Sequence, residues 1–380
     1  MCGEQPIGRP AAFVAALERQ AALARRYDRP GAVVVLAVAR THEPPGRAAA
    51  DALRGRVRGT DVVARLAPGE LAVLLPEVAS AEAEAVARDL VDLVARASGA
   101  RAAAGVACFP EALHRTAGGL LADADAALAA AWRLTPPVTV APRRLHQPTS
   151  RAERIAAALT DGGMELDRVP VVDLRTGMPD HHSLAPRLRD PAPAGTEGLR
   201  ATTARFGLGG ALDRWVVERA LAAAEGASST LVVPLSAGAA ADPTFAAWLI
   251  EALVARPSAS GRVVLALPEA AVVEALDAVS SLAARTSEFG TRLALDEFGA
   301  VGAIAVLRRL PVHQVRLDPT LVRGLPVSDQ DRAVVLALVQ AAEALGAVPV
   351  ATGVDGEAEL TAVRGFGIAL AEGAAFSRRR

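Results

Sequence analysis

From Ala11 to Arg26 the apolar residues fall at helical spacing, with Phe13, Leu17 and Leu23 set among alanines, which predicts an opening helix. Pro30-Gly31 breaks it. Residues 32–39 (AVVVLAVA) form a short unbroken apolar run, as expected of a buried strand. Residues 48–57 predict a helix. Two strands, 61–66 and 71–75, flank a tight Ala67-Pro68-Gly69-Glu70 turn and read as a hairpin. Ser80 is placed to cap a helix running to about Arg96, with acidic residues in its first turn. A strand at 101–109 and a helix at 120–132 follow. After the leading helix the order is β-α-β-β-α-β-α, an α+β arrangement around one sheet.

Residues 135–150 hold four prolines and read as a linker, with its core at 141–150. Beyond it the pattern changes. After a helix at 151–159, apolar runs at 169–174, 230–235, 262–267, 291–295, 313–317, 347–351 and 367–371 alternate with helical stretches. Strand–helix alternation on this scale predicts an α/β barrel, whose chemistry sits at the C-terminal ends of the strands. The expected domains are therefore 11–140 and 151–378.

Composition sharpens the picture in a few places. The chain has 380 residues, a formal net charge of −1 and 52% hydrophobic residues. Such a balance exerts no global pull on nucleic acid or anionic lipid and supports large cores. There is no Lys and no Asn in the sequence, so any mechanism that needs a lysine side chain or an Asn carboxamide is excluded. Arg stands wherever a Lys would, which weakens each Arg-based signal. The cysteines, Cys2 and Cys108, make neither a disulfide framework nor a zinc pattern. No signal-peptide pattern and no apolar run of membrane-spanning length is present, so a cytoplasmic location is expected.

Six segments of the second half carry a family resemblance. They are 170–177 (PVVDLRTG), 212–217 (LDRWVV), 295–299 (LDEFG), 310–318 (LPVHQVRLD), 350–355 (VATGVD) and Glu372-Gly373 with Phe376-Ser377. In this order they resemble the EAL domain, the cyclic-di-GMP phosphodiesterase barrel. That resemblance implies a two-metal site of hard oxygen ligands and a carboxylate base. Carried over by position, the signature Glu falls on Ser183, an Asn on Pro234 and a further Glu on Ala266. The Lys falls on Arg316, the base Glu on Thr352 and the closing Gln on Glu372. Asp296, Glu297, Glu269, Asp318 and Asp355 remain. Pro234 and Ala266 have no side-chain oxygen, and Thr352 cannot act as a general base near neutral pH. The expectation is a barrel without phosphodiesterase activity and without a resident cofactor.

Any divalent ion would be held weakly, with Asp296, Glu297 and Asp318 as the residual candidates. Alternatively, Asp296 and Asp318 simply pair with Arg316. The adjacent His181 and His182 lack a third ligand and read as loop residues. The segment from Phe298 is one residue shorter than the family pattern. In the family this loop helps join two barrels, so a family-type dimer is not expected.

The first half resembles the GGDEF, or diguanylate cyclase, domain. The carrying residues are 61–76 (DVVARLAPGELAVLLP), Gly105-Val106-Ala107 with Pro110, and 120–128 (LLADADAAL). Here the signature turn is Ala67-Pro68-Gly69-Glu70-Leu71. Pro68 removes an N–H and adds bulk where close backbone approach to GTP is needed. The strand expected to carry a metal-binding Asp reads Val35 to Ala39, and the guanine-gripping segment is replaced by 40–45 (RTHEPP). Cyclase activity is therefore not expected either. Arg58-Gly59-Thr60-Asp61 keeps the RxxD form of the cyclase product-inhibition site, and is either a ligand grip or a surface ion pair. Arg187, just beyond the degenerate EAL position, is the competing ligand candidate. The expected function is a catalytically inactive regulator that binds cyclic-di-GMP or docks a protein partner, engaging neither nucleic acid nor membrane. A residual phosphodiesterase and a nucleotide-independent scaffold are the alternatives.

Overall fold

Strand β1 (Gly31–Val38) is buried along its entire length, as an unbroken apolar run requires. It lies at the centre of a five-stranded sheet of order β2-β3-β1-β4-β5, with β2 (Val62–Ala67), β3 (Glu70–Pro76), β4 (Ala102–Phe109) and β5 (Val138–Val140). The structure is a computed structural model, and it describes residues 8, 10–27, 29–39, 46–67, 69–109, 117–135, 137–141, 151–189, 198–226, 229–301 and 304–377. Pro68, Pro110, the 40–45 segment and linker residues 142–150 lie outside these.

Helices cover the two faces of this sheet. On one, α1 (Pro10–Tyr27) and α4 (Ala117–Ala131) bury Phe13, Leu17, Leu120 and Leu121 against Val33, Val35 and Leu74. On the other, α2 (Gly46–Arg56) and α3 (Ser80–Ser98) bury Leu53, Leu90 and Val94 against Val34, Leu36 and Val73. The alternation along β1 thus feeds both cores. Helix α4 packs so closely on β4 that a Cβ at Gly105 would collide with the Ala124 carbonyl and the Leu128 backbone. Two details depart from the sequence reading. Residues 138–140 are an edge strand, parallel to β4, in a proline-rich stretch where the sequence pattern predicts no strand. Helix α3 begins at Ser80, with Ala79 as its flanking residue and no side-chain cap there.

The chain forms two compact units, but the division is not sequential. The first unit holds residues 1–161 and 192–208; the second holds 162–191 and 209–380. Helices α5 (Arg151–Asp161) and α6 (Leu199–Arg205), within the stretch expected to be barrel, therefore belong to the first unit.

The second unit is a closed eight-stranded barrel of order β10-β11-β12-β13-β6-β7-β8-β9. Its strands are β6 (Met164–Asp173), β7 (Pro179–Leu188), β8 (Leu231–Pro234), β9 (Val263–Pro268), β10 (Arg292–Phe298), β11 (Val312–Leu317), β12 (Val348–Ala351) and β13 (Leu370–Ala371). Strand β6 runs antiparallel to both neighbours, and the other pairs are parallel. The helices are α7 (Gly209–Ala224), α8 (Pro243–Val254), α9 (Pro257–Ser260), α10 (Glu269–Glu274), α11 (Leu276–Ser287), α12 (Pro319–Gly324), α13 (Asp329–Ala344), α14 (Glu357–Gly365) and α15 (Ala374–Ser377). Strand β7 corrects the loop reading of 181–182. His181 and His182 are strand residues, and His181 is buried toward the barrel interior, where it meets Gln314.

Candidate functional site

The C-terminal ends of the barrel strands bring three of the sequence-predicted positions, Ser183, Asp296 and Glu372, together around one cation. Arg316 lies on β11 and is 5% exposed. Its Nε donates to Asp296 Oδ1 at 3.1 Å, Nη1 to Ser183 Oγ at 2.9 Å and Nη2 to Glu372 Oε1 at 2.5 Å. Ser183 Oγ donates in turn to Glu372 Oε2 at 2.5 Å. The network therefore joins β7, β10, β11 and the residue after β13. Burial alone disfavours the Arg316 charge, but Glu372 and Asp296 outweigh it and raise the pKa above the usual arginine value. A rigid fork suits this task better than a point-charged ammonium.

The remaining positions are occupied structurally. Ala266 is fully buried in an apolar layer with Val232, Val264 and Ala294. Pro234 ends β8, opposite Ala266 in register. Beyond it, Ser236 donates through its backbone N–H and its hydroxyl to the buried Asp213 of α7. Thr352 is 6% exposed and its hydroxyl donates to the Leu317 carbonyl at 2.6 Å. Glu269 is fully buried and accepts the N–H groups of Gly299 and Val301, both at 3.0 Å, which anchors the loop after β10.

Of the residual metal candidates, Asp296 pairs with Arg316 as the ion-network alternative expects. Asp318 does not. It caps α12, accepting from the Thr320 N–H at 2.6 Å and from the Thr320 hydroxyl. Glu297 is exposed, with a left-handed backbone at φ 54°. Among the described residues, no three His, Cys, Asp or Glu side chains form a group able to hold a metal ion. The carboxylates present near Arg316 are already matched to a guanidinium, so this corner fits an arginine rather than a divalent ion.

Arg187 is exposed on β7 and pairs with Glu165 and with Asp167, the latter at 2.8 Å. The hydrogen bond it donates to Asp167 is the main reason its pKa is raised. It belongs to the β6–β7 hairpin surface.

In the first unit, Arg58 and Asp61 part company. Asp61 is 4% exposed, and its carboxylate accepts the Arg58 backbone N–H at 2.7 Å. Burial pushes its pKa up, partly offset by that N–H. The surface ion-pair alternative is thus not what forms: Asp61 closes the turn that presents Arg58. The Arg58 side chain instead lines an open cavity of about 580 Å³ together with Tyr27, Arg29, Thr60 and Glu77. Arg29 pairs with Glu77 at 2.6 Å, and the Arg26 guanidinium lies 5.4 Å from the Tyr27 ring centroid. Sequence reasoning found Arg58 but neither Arg29 nor Tyr27, which carry no motif of their own.

Comparison with known proteins fits this architecture. Residues 152–379 match the EAL domain family and residues 47–134 match the family described as diguanylate cyclase, GGDEF domain. The chain belongs to the EAL domain family and carries a GGDEF domain ahead of its barrel, the organisation of cyclic-di-GMP signalling proteins. It is 30% identical over 229 residues to an uncharacterized protein of Mycobacterium tuberculosis, covering 57% of this chain and 36% of that one. It is 28% identical over 353 residues to the cyclic di-GMP phosphodiesterase NbdA of Pseudomonas aeruginosa, covering 86% of this chain and 44% of that one. The chain thus spans less than half the length of these relatives. Among solved structures, Vibrio cholerae LapD S helix-GGDEF-EAL bound to c-di-GMP superposes with a TM-score of 0.59 at 15% identity, covering 97% of this chain and 93% of that one. At that identity the likeness concerns the fold. No helix among the described residues is long and apolar enough to cross a membrane.

Proposed function

We propose that this protein acts in cyclic-di-GMP signalling by binding rather than by catalysis. The observation that carries this reading is Arg316. A guanidinium forked between Asp296, Ser183 and Glu372 stands among the strand ends where a phosphodiesterase of this family gathers its metal ligands. Phosphodiester hydrolysis by that route needs ions that acidify water and stabilise the leaving oxygen. A buried, ion-paired arginine supplies neither function, and the hydroxyl of Thr352, at the position of the base, is a hydrogen-bond donor to a carbonyl.

The ligand we propose is cyclic-di-GMP, held by the first domain at the Arg58 cavity. Arg58 offers a fork for phosphate, Arg29 offers the guanidinium N–H groups that its pairing with Glu77 does not use, and Tyr27 offers a ring for a base. A cavity of about 580 Å³ lies within the range typical of small-molecule sites. Asp61 serves by fixing the turn, not by reading guanine.

The test is a calorimetric titration with cyclic-di-GMP beside a turnover assay in Mg²⁺ and Mn²⁺. Saturable binding with no linear dinucleotide released is the expected result. Turnover that scales with protein and vanishes in Asp296→Ala would establish a residual phosphodiesterase instead. Absence of binding up to millimolar ligand would make the protein a nucleotide-independent scaffold.

A further inference from the structure

Between β7 and β8 the chain leaves the barrel unit, and residues 198–208 pack within the first one. A seven-residue helix such as α6 has little stability of its own, so its docking contacts must hold it. One anchor is apolar. Phe206, 7% exposed, enters the core of Phe13, Leu17 and Leu120. The next residue, Gly207, takes φ +69°, and a Cβ there would stand 3.2 Å from the Ala11 Cα, so the turn fits closely against α1. The other anchor is ionic. Arg205, 8% exposed, donates Nε to Asp125 Oδ2 at 2.8 Å and Nη2 to Asp125 Oδ1 at 2.5 Å. Its Nη1 pairs with Glu70.

These two carboxylates have a definite place in the fold. Glu70, a residue of the signature turn, opens β3 opposite Ala37 of β1, and Asp125 lies on α4. Two partly buried acidic side chains brought together repel each other, and a counter-ion relieves the repulsion. Here it comes from a residue 80 positions from Asp125 and 135 from Glu70. The arrangement parallels Arg316, which bridges Asp296 and Glu372 in the other unit.

We propose that residues 198–208 are an intramolecular strap and Arg205 its clasp, closing the first domain's signature turn by filling its acidic corner from within the same chain. The corner is thereby shut to any external cationic group. The strap is also continuous with the barrel unit, because Gly209, the first residue of α7, follows Leu208 directly. This assignment stands apart from the ligand proposed above and is tested without one.

Hydrogen exchange on the full chain distinguishes a strap from a fold-determining pair. Arg205→Met removes the clasp. Asp125→Asn keeps the Glu70 pairing and loses one charge-assisted hydrogen-bond partner, so it serves where Arg205→Met does not fold. Amides in 199–208 should exchange at least about tenfold faster than in the parent, the decade expected from losing one such bond. Strands β1, β4 and β9 should keep their protection. Unchanged exchange of 199–208 in the folded variants would show that Arg205 is not the clasp. Loss of protection in β1 and β4 together with the segment would show that the pair holds the domain, and would equally overturn the strap.

Discussion

Arg316 and Glu372 meet in a 2.5 Å charge-assisted hydrogen bond at the mouth of the barrel. In the carry-over made from the family resemblance, Arg316 falls where the EAL pattern has Lys and Glu372 where it has Gln, and in the structure the two are partners. The guanidinium reaches Ser183, Asp296 and Glu372 at once, and the added carboxylate balances its charge in a site where Arg316 is 5% exposed. Ser183, which the same carry-over sets at the signature Glu, contributes a hydroxyl to the fork. These residues and Asp296 form one interaction.

The stability of the barrel should depend on this network. Arg316→Met leaves Asp296 and Glu372 without a counter-charge and should cost roughly 3–5 kcal/mol, the scale for breaking a buried pair from one side. Glu372→Gln keeps a hydrogen-bonding side chain and should cost less, about 1–3 kcal/mol. Urea unfolding of each variant reads both values. A loss below about 0.5 kcal/mol in Arg316→Met, the scale of a neutral surface change, would mean that the network is incidental.

Ligand binding should follow the first domain. Arg58→Ala should weaken cyclic-di-GMP binding at least about tenfold, since a charge-assisted hydrogen bond contributes about 1.5–3 kcal/mol and about 1.4 kcal/mol is a decade. Tyr27→Ala should also weaken it, while Arg187→Ala leaves it unchanged. Calorimetry on the three variants decides the matter: binding lost in Arg187→Ala and intact in Arg58→Ala would place the ligand in the barrel.

Much of this architecture is written in local patterns. Unbroken apolar runs marked β1, β4, β8, β9 and β10, because strands buried on both faces need apolar residues throughout. Strand β7 escaped notice. Its sequence, PDHHSLAPRL, has no apolar run, and its strand state depends on pairing with β6 and β8. The short β5 was hidden among prolines. In the site, the sequence offered the Asp296–Arg316 pairing as one alternative, but not the joining of Ser183 and Glu372 to it. The Arg316 fork joins residues up to 189 positions apart, and the α6 strap depends on Arg205, one Arg among many in a chain without lysine. Neither contact leaves a periodicity to read.

Gly105 offers a test of the first core. A Cβ there would strike the Ala124 carbonyl and the Leu128 backbone, atoms that cannot rotate away. Gly105→Ala must therefore push α4 off β4, and overpacking of this kind costs about 1–3 kcal/mol or more. A thermal midpoint equal to the parent's would refute the close approach.

Acid should weaken the barrel before it protonates the bulk of the carboxylates. His181, His182 and His313 all have pKa values lowered from 6.5, with burial as the largest cause in each case. For His181, its hydrogen bond to Asp180 opposes the shift without cancelling it. For His313, the Arg292 guanidinium adds to burial, donating to Nε2 at 2.7 Å. In the unfolded chain these imidazoles take up protons as pH falls through about 6.5, while the folded barrel keeps them neutral to lower pH. The unfolded state then binds more protons, so stability falls with pH below about 6.5 until the lowered native values are reached. His313→Gln removes one such proton and should flatten the decline of the urea midpoint between about pH 7 and pH 5. A midpoint that does not change across that window in the parent, or that declines as steeply in His313→Gln, would contradict a neutral, half-buried imidazole at this position.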